Sequence, residues 1–106
     1  MAGEHVVVFC TVPEAEKGAE LGRTVVGERL AACVSIVPGL RSIYTWKGQV
    51  CDDPEALLVI KTRRERVDAL VARIAALHPY EVPEIIALPI EAGHAPYLAW
   101  IDDSTR

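Results

Sequence analysis

The chain has 106 residues, a mass of 11.6 kDa and a formal net charge of −4, with 51% hydrophobic and 25% charged residues. That length suits a single domain over residues 1–106, with a core that needs no disulfide or metal staple. The acidic balance excludes a duplex-binding role. No apolar run approaches the roughly 18 residues of a membrane span, and the start, Met-Ala-Gly-Glu-His, lacks the basic and apolar regions of a secretory signal.

Residues 5–11 form a short β-branched and aromatic run (Val6, Val7, Val8, Phe9) that reads as a buried central strand. Pro13 and Glu14 open a helical stretch to about Ala31, with acidic residues toward its N-terminal end and Gly18, Leu21, Gly22, Val25 and Val26 on one side. The small residues on that side predict close approach to a sheet. Residues 33–46 read as a long strand kinked at Pro38-Gly39, with Lys47-Gly48 as the turn. The return over residues 49–62 is expected to be interrupted at Pro54. Thr62 and Glu65 match a capping box, and Val67, Leu70, Val71, Ile74 and Leu77 then fall on one helical face. Pro79 stops that helix and biases His78 toward an extended backbone. Residues 82–90 read as a last strand whose Pro83 and Pro89 place it at an edge or bulge. After Pro96, the spacing of Tyr97, Trp100 and Ile101 predicts a short closing helix.

The resulting order, β-α-β-β-α-β, is the α+β ferredoxin-like arrangement, an antiparallel sheet with two helices on one face. Residues 33–46 would span about 46 Å as a strand, against a diameter of roughly 33 Å for a compact chain of this length. The hairpin should therefore overhang its own domain and leave unpaired edges, which favours a closed homo-oligomer.

Side chains able to carry metal chemistry are Cys10, Cys33, Cys51, His5, His78 and His94. The three cysteines form an odd set without zinc or redox spacing, which points to a reduced, cytoplasmic setting. Cys33 reads first as a small buried hydrophobe, and Cys10 stands between that role and a ligand at the end of the first strand. Cys51 is either an exposed thiol or part of an opportunistic site with Asp52 and Asp53. His78 has a sufficient structural role at a helix C-terminus, and could alternatively serve as a ligand or proton carrier. His5 and His94 read as solvated. Lys61 and Glu84 interrupt apolar strands, so each needs a partner: either they pair across the sheet, or Lys61 meets an anionic metabolite in a pocket. Tyr44, Trp46, Tyr80, Tyr97 and Trp100 are core or interface residues, or else line that pocket. The basic run Lys61, Arg63, Arg64, Arg66 and Arg73 reads as a solvated helix face. No Ser-His-Asp layout, G-x-S-x-G, P-loop or G-x-G-x-x-G occurs, so a non-enzymatic role is expected.

Six blocks in this order resemble the CutA divalent-cation tolerance proteins over nearly the whole chain. They are Cys10-Thr11 with Pro13, Leu30-Ala31-Ala32-Cys33, Ser42-Ile43-Tyr44-Thr45-Trp46-Lys47-Gly48, Lys61-Thr62, His78-Pro79-Tyr80-Glu81-Val82-Pro83-Glu84 and Tyr97-Leu98-Ala99-Trp100-Ile101. The resemblance implies a ferredoxin-like fold, a homotrimer joined by hairpin strands and a cytoplasmic protein tied to tolerance of copper and other divalent metals. In enterobacterial-type relatives the proposed copper ligands are a cysteine ending the first strand and two adjacent histidines before Pro-Tyr. Cys10 and His78 take two of those places, and Leu77 stands at the third. By fold analogy to trimeric nitrogen-regulatory proteins, the alternative is a small-molecule sensor or scaffold. Its pocket would lie at the subunit clefts, among Tyr44, Trp46, Lys61, Tyr80, Glu84, Tyr97 and Trp100.

Overall fold

Alternation decides the first strand, β1 (His5–Val12): Val6, Val8, Cys10 and Val12 are fully buried, and the residues between them face the other side of the sheet half-exposed. The computed structural model describes residues 4–106, so residues 1–3, on which the reading of the chain start partly rests, lie outside the described residues. The long strands β2 (Cys33–Trp46) and β3 (Gln49–Arg63) and the short β4 (Ile85–Pro89) complete an antiparallel sheet in the order β2-β3-β1-β4. Helices α1 (Ala15–Gly27) and α2 (Val67–Leu77) cover the Val6–Val12 side, as the ferredoxin-like reading requires, and α3 (Ala95–Ser104) closes the chain.

The core lies between the two helices and the sheet, where Leu21, Val25, Leu70 and Ile74 meet Val6, Val8, Leu58 and Ile60. Close approach of α1 depends on its glycines. A Cβ at Gly18 would stand 2.7 Å from Leu58 Cδ2, and one at Gly22 would stand 3.3 Å from Val34 Cβ. Overpacking a filled core costs about 1–3 kcal/mol, whereas Gly to Ala in a helix gains at most about 1 kcal/mol. Gly18→Ala is therefore expected to lower the urea midpoint of unfolding. An unchanged or higher midpoint would show that Leu58 yields freely.

Four local readings are corrected. Helix α1 ends four residues before Ala31, because Arg29 turns left-handed (φ 62°) and the N–H groups of Arg29 and Leu30 donate back to Val26 O (3.0 Å) and Val25 O (2.9 Å). The capping box does not form. Thr62 Oγ1 donates instead to Leu30 O at 2.7 Å, Glu65 takes the Arg63 guanidinium, and α2 is entered through a 3-10 turn at Arg64–Arg66. Strand β3 runs unbroken through Pro54, which pairs with Arg41 just beyond the end of β1, where one edge of β3 has no neighbour in the chain. The last strand is shorter than expected, with Val82, Pro83 and Glu84 in the connection before it, and it lies at the sheet edge as its prolines predict.

The hairpin overhangs as expected. β1 accompanies β3 only from Ala56 to Arg63, so residues 40–55 form a two-stranded ribbon and the molecule measures 44 × 25 × 23 Å. A register shift between Val37 and Leu40 marks the Pro38-Gly39 kink, and positive φ at both Lys47 (49°) and Gly48 (78°) makes the tight turn.

Of the basic run, Arg64 is exposed and Arg73 meets Glu28 at the surface, but Arg63 and Arg66 join Arg29 in a clasp on the C-terminal end of α3 rather than a solvated face. Arg63 Nε donates to Thr105 Oγ1 (2.8 Å), Arg66 Nε to Thr105 O (2.7 Å), and Arg29 to the carbonyls of Asp103 and Arg106 (2.7 and 2.9 Å). These cations answer the negative end of α3. His5 joins them. It is only 13% exposed and sits 2.8 Å from Asp102 Oδ1, so it is not solvated as expected, whereas His94 is exposed.

Candidate functional site

Cys10 and His78 do come to one place. His78 is the residue at which α2 ends, its backbone extended (φ −73°, ψ 139°) as Pro79 requires, and it is 8% exposed. Its Nε2 donates to Thr11 O at 2.8 Å, and its Nδ1 accepts the Tyr80 N–H at 3.1 Å. The Cys10 thiol donates to the same Thr11 carbonyl at 3.7 Å. Burial, with added repulsion from Glu84 and Glu55, pushes that thiol up to about 12. A thiolate and a neutral imidazole with a free nitrogen are what copper needs. Here the thiol is fully buried against the Thr11 carbonyl and both ring nitrogens of His78 are engaged, so neither side chain offers a free ligand atom without rearrangement. Among the described residues no group of three or more His, Cys, Asp or Glu side chains is placed to hold a metal.

The other predicted cleft residues separate into two groups. Lys61 does not pair with Glu84. Its ammonium donates to Ser35 Oγ (3.0 Å) and to Val59 O (3.4 Å), on the sheet face opposite the two large helices. Tyr97 and Trp100 stack at 5.5 Å between centroids on α3, away from the cleft. Cys33 lies beside Ser35 (3.7 Å), and both Cys33 and Cys51 are half-buried free thiols.

Tyr44, Trp46, Tyr80 and Glu84 share a cleft of about 600 Å³. It opens between the overhanging ribbon and the connection from α2 to β4, because β1 stops at Val12 and leaves that flank of β3 uncovered. Thr11, Glu55, Glu81 and Val82 also line it, and no lysine or arginine does so among the described residues. Each tyrosine is locked to a carboxylate: Tyr44 Oη donates to Asp53 Oδ2 (2.5 Å) and Tyr80 Oη to Glu55 Oε2 (2.6 Å). The bond to Asp53 pushes the Tyr44 phenol up to about 12, and burial followed by the bond to Glu55 raises Tyr80 beyond the ordinary range. A phenol raised in the folded state holds its proton after the unfolded chain has released it. Stability from Tyr80 is thus complete below the ordinary tyrosine value near 10 and declines as pH rises above it. Tyr80→Phe is expected to flatten that alkaline limb in urea titrations, and an unchanged limb would contradict the assignment.

Glu55 and Glu81 were not among the residues expected at a site. Glu55 had a signal: it stands directly before the apolar run Ala56–Ile60 and is only 8% exposed, although charged.

The chain and its fold are similar to those of known proteins. The sequence model of the family described as CutA1 divalent ion tolerance protein matches residues 6–104. The divalent-cation tolerance protein CutA of Thermus thermophilus is 52% identical over 99 residues, covering 93% of this chain and 96% of that protein. The chloroplastic protein CutA 1 of rice is 52% identical over 101 residues, which are 95% of this chain but 57% of the relative's length, little more than half. The crystal structure of CutA from Xylella fastidiosa superposes with a TM-score of 0.94 at 39% identity, covering 97% of this chain and 99% of that one.

Proposed function

Because the chain belongs to the CutA1 divalent ion tolerance family, we propose that it is a non-enzymatic, homotrimeric, cytoplasmic tolerance protein that takes up divalent cations at the carboxylates of its ribbon cleft. The observation that carries this reading is the negative lining of one open cleft, where Glu55, Glu81 and Glu84 stand with no lysine or arginine among the described residues and draw cations without forming a three-ligand site. Carboxylates supply one or two oxygen ligands and leave the rest of the shell to water, which makes binding weak and broad rather than metal-specific. Among divalent first-row ions copper is then held most tightly, by the general order of affinities. Trimer formation is supported by the overhanging ribbon and by apolar side chains on and beside it, Ile43, Val50 and Val82, that are 69–76% exposed. Three unpaired cysteines support a reducing compartment. No helix among the described residues is long and apolar enough to cross a membrane.

Calorimetric titration of the reduced, chelator-treated protein with copper tests the site. The expected result is weak binding reduced about tenfold in Glu81→Gln/Glu84→Gln and unchanged in Cys10→Ala. Tight stoichiometric binding lost in Cys10→Ala would overturn it and restore the thiol as ligand. Light scattering should give about 35 kDa, three times 11.6 kDa; a monomer would remove the trimer.

A further inference from the structure

Glu55 is a charged group more than nine-tenths buried, and its only polar partner among the described residues is the Tyr80 hydroxyl on Oε2. Among the described residues no lysine, arginine or histidine pairs with it. Its carboxylate faces a cleft of about 600 Å³ rather than packed core. The walls beside it are aromatic: Tyr44, Trp46 and Tyr80. Aromatic faces attract organic cations through their quadrupole, and the same ribbon already shows this chemistry, with Lys47 Nζ 5.8 Å from the Trp46 ring centroid. A bare hydrated metal gains little from such walls. An organic ammonium ion gains from both the carboxylate and the rings.

We propose that this cleft is a binding site for a small, free organic ammonium ion, with Glu55 as the anionic anchor and Tyr44, Trp46 and Tyr80 as its walls. The rim of Glu81 and Glu84 favours a ligand with no phosphate, so a lipid headgroup fits less well than the free cation. The inference stands apart from metal uptake, since it needs no bound metal.

The test is calorimetry on the chelator-treated full chain, with choline chloride as probe and 3,3-dimethyl-1-butanol as its neutral isostere. Choline is expected to bind at least about tenfold more tightly than the isostere, the factor that a partly desolvated cation–aromatic contact supplies. Glu55→Gln should lose about that factor. Tyr44→Leu, at an exposed ribbon position that leaves the core untouched, should lose a similar one and guards against misfolding of the buried variant. Phosphocholine should bind more weakly than choline. Absence of choline binding, equal binding of the isostere, indifference of both variants, or tighter binding of phosphocholine would each overturn the proposal. A copper response that fails in Glu81→Gln/Glu84→Gln while choline still binds would separate the two readings.

Discussion

Alkylation of the native protein with iodoacetamide is expected to label Cys33 and Cys51 and to leave Cys10 essentially unmodified. The thiolate is the reacting species, and a thiol moved from 9.0 to about 12 is ionised about a thousandfold less at neutral pH. Zero exposure of Cys10 adds to that protection. Site-resolved mass spectrometry should find all three cysteines labelled together in denaturant. Labelling of Cys10 in the folded protein at a rate close to that of Cys33 would mean that the first strand opens locally or that the thiol is not held protonated. The same shift has a sign for stability: folding favours the protonated thiol, so the contribution of Cys10 is complete below pH of about 9 and declines as pH rises above it.

His78→Ala should be among the most damaging single substitutions in the chain. It removes the donor to Thr11 O and the acceptor of the Tyr80 N–H, and it leaves space in a buried position. An unmade buried hydrogen bond costs about 1–3 kcal/mol, so about 2–6 kcal/mol is expected for the pair. For a domain of this size that lowers the melting temperature by at least about 8 °C. The effect should appear equally with and without metal, measured by thermal denaturation at one fixed protein concentration. A loss of less than about 1 kcal/mol, or one seen only with copper present, would return His78 to the role of ligand.

The parts of the fold that could be read in advance were those where one local force acts alone. Val6, Val8, Cys10 and Val12 alternate in the sequence and are alternately buried, and Pro79 fixes where α2 ends and how His78 is turned. The readings that failed depended on partners far along the chain. Arg63 and Arg66 look like a solvated stripe until α3 brings Thr105 to them from about 40 positions away. His5 is governed by Asp102, 97 residues on. Thr62 forgoes a capping box because Leu30 O is nearer to hand. At the site, the presence of Tyr44, Trp46, Tyr80 and Glu84 was legible as a set of aromatic and acidic residues needing a role. Their separation from Lys61, Tyr97 and Trp100 was not, because it depends on which flank of β3 remains uncovered when β1 stops at Val12.

That early stop of β1 also orders the events of folding. Partners in the β2–β3 hairpin meet across a turn of two residues, whereas β1 and β3 join residues between 44 (Val12 with Ala56) and 58 (His5 with Arg63) positions apart. Hairpins close in about 1–10 μs, while pairings this distant are slow. On that ground the ribbon closes ahead of the docking of β1, with its edges bare until then. Its charged pair Arg41 and Asp52 and its Pro54 stand on that ribbon as guards against pairing with the wrong neighbour.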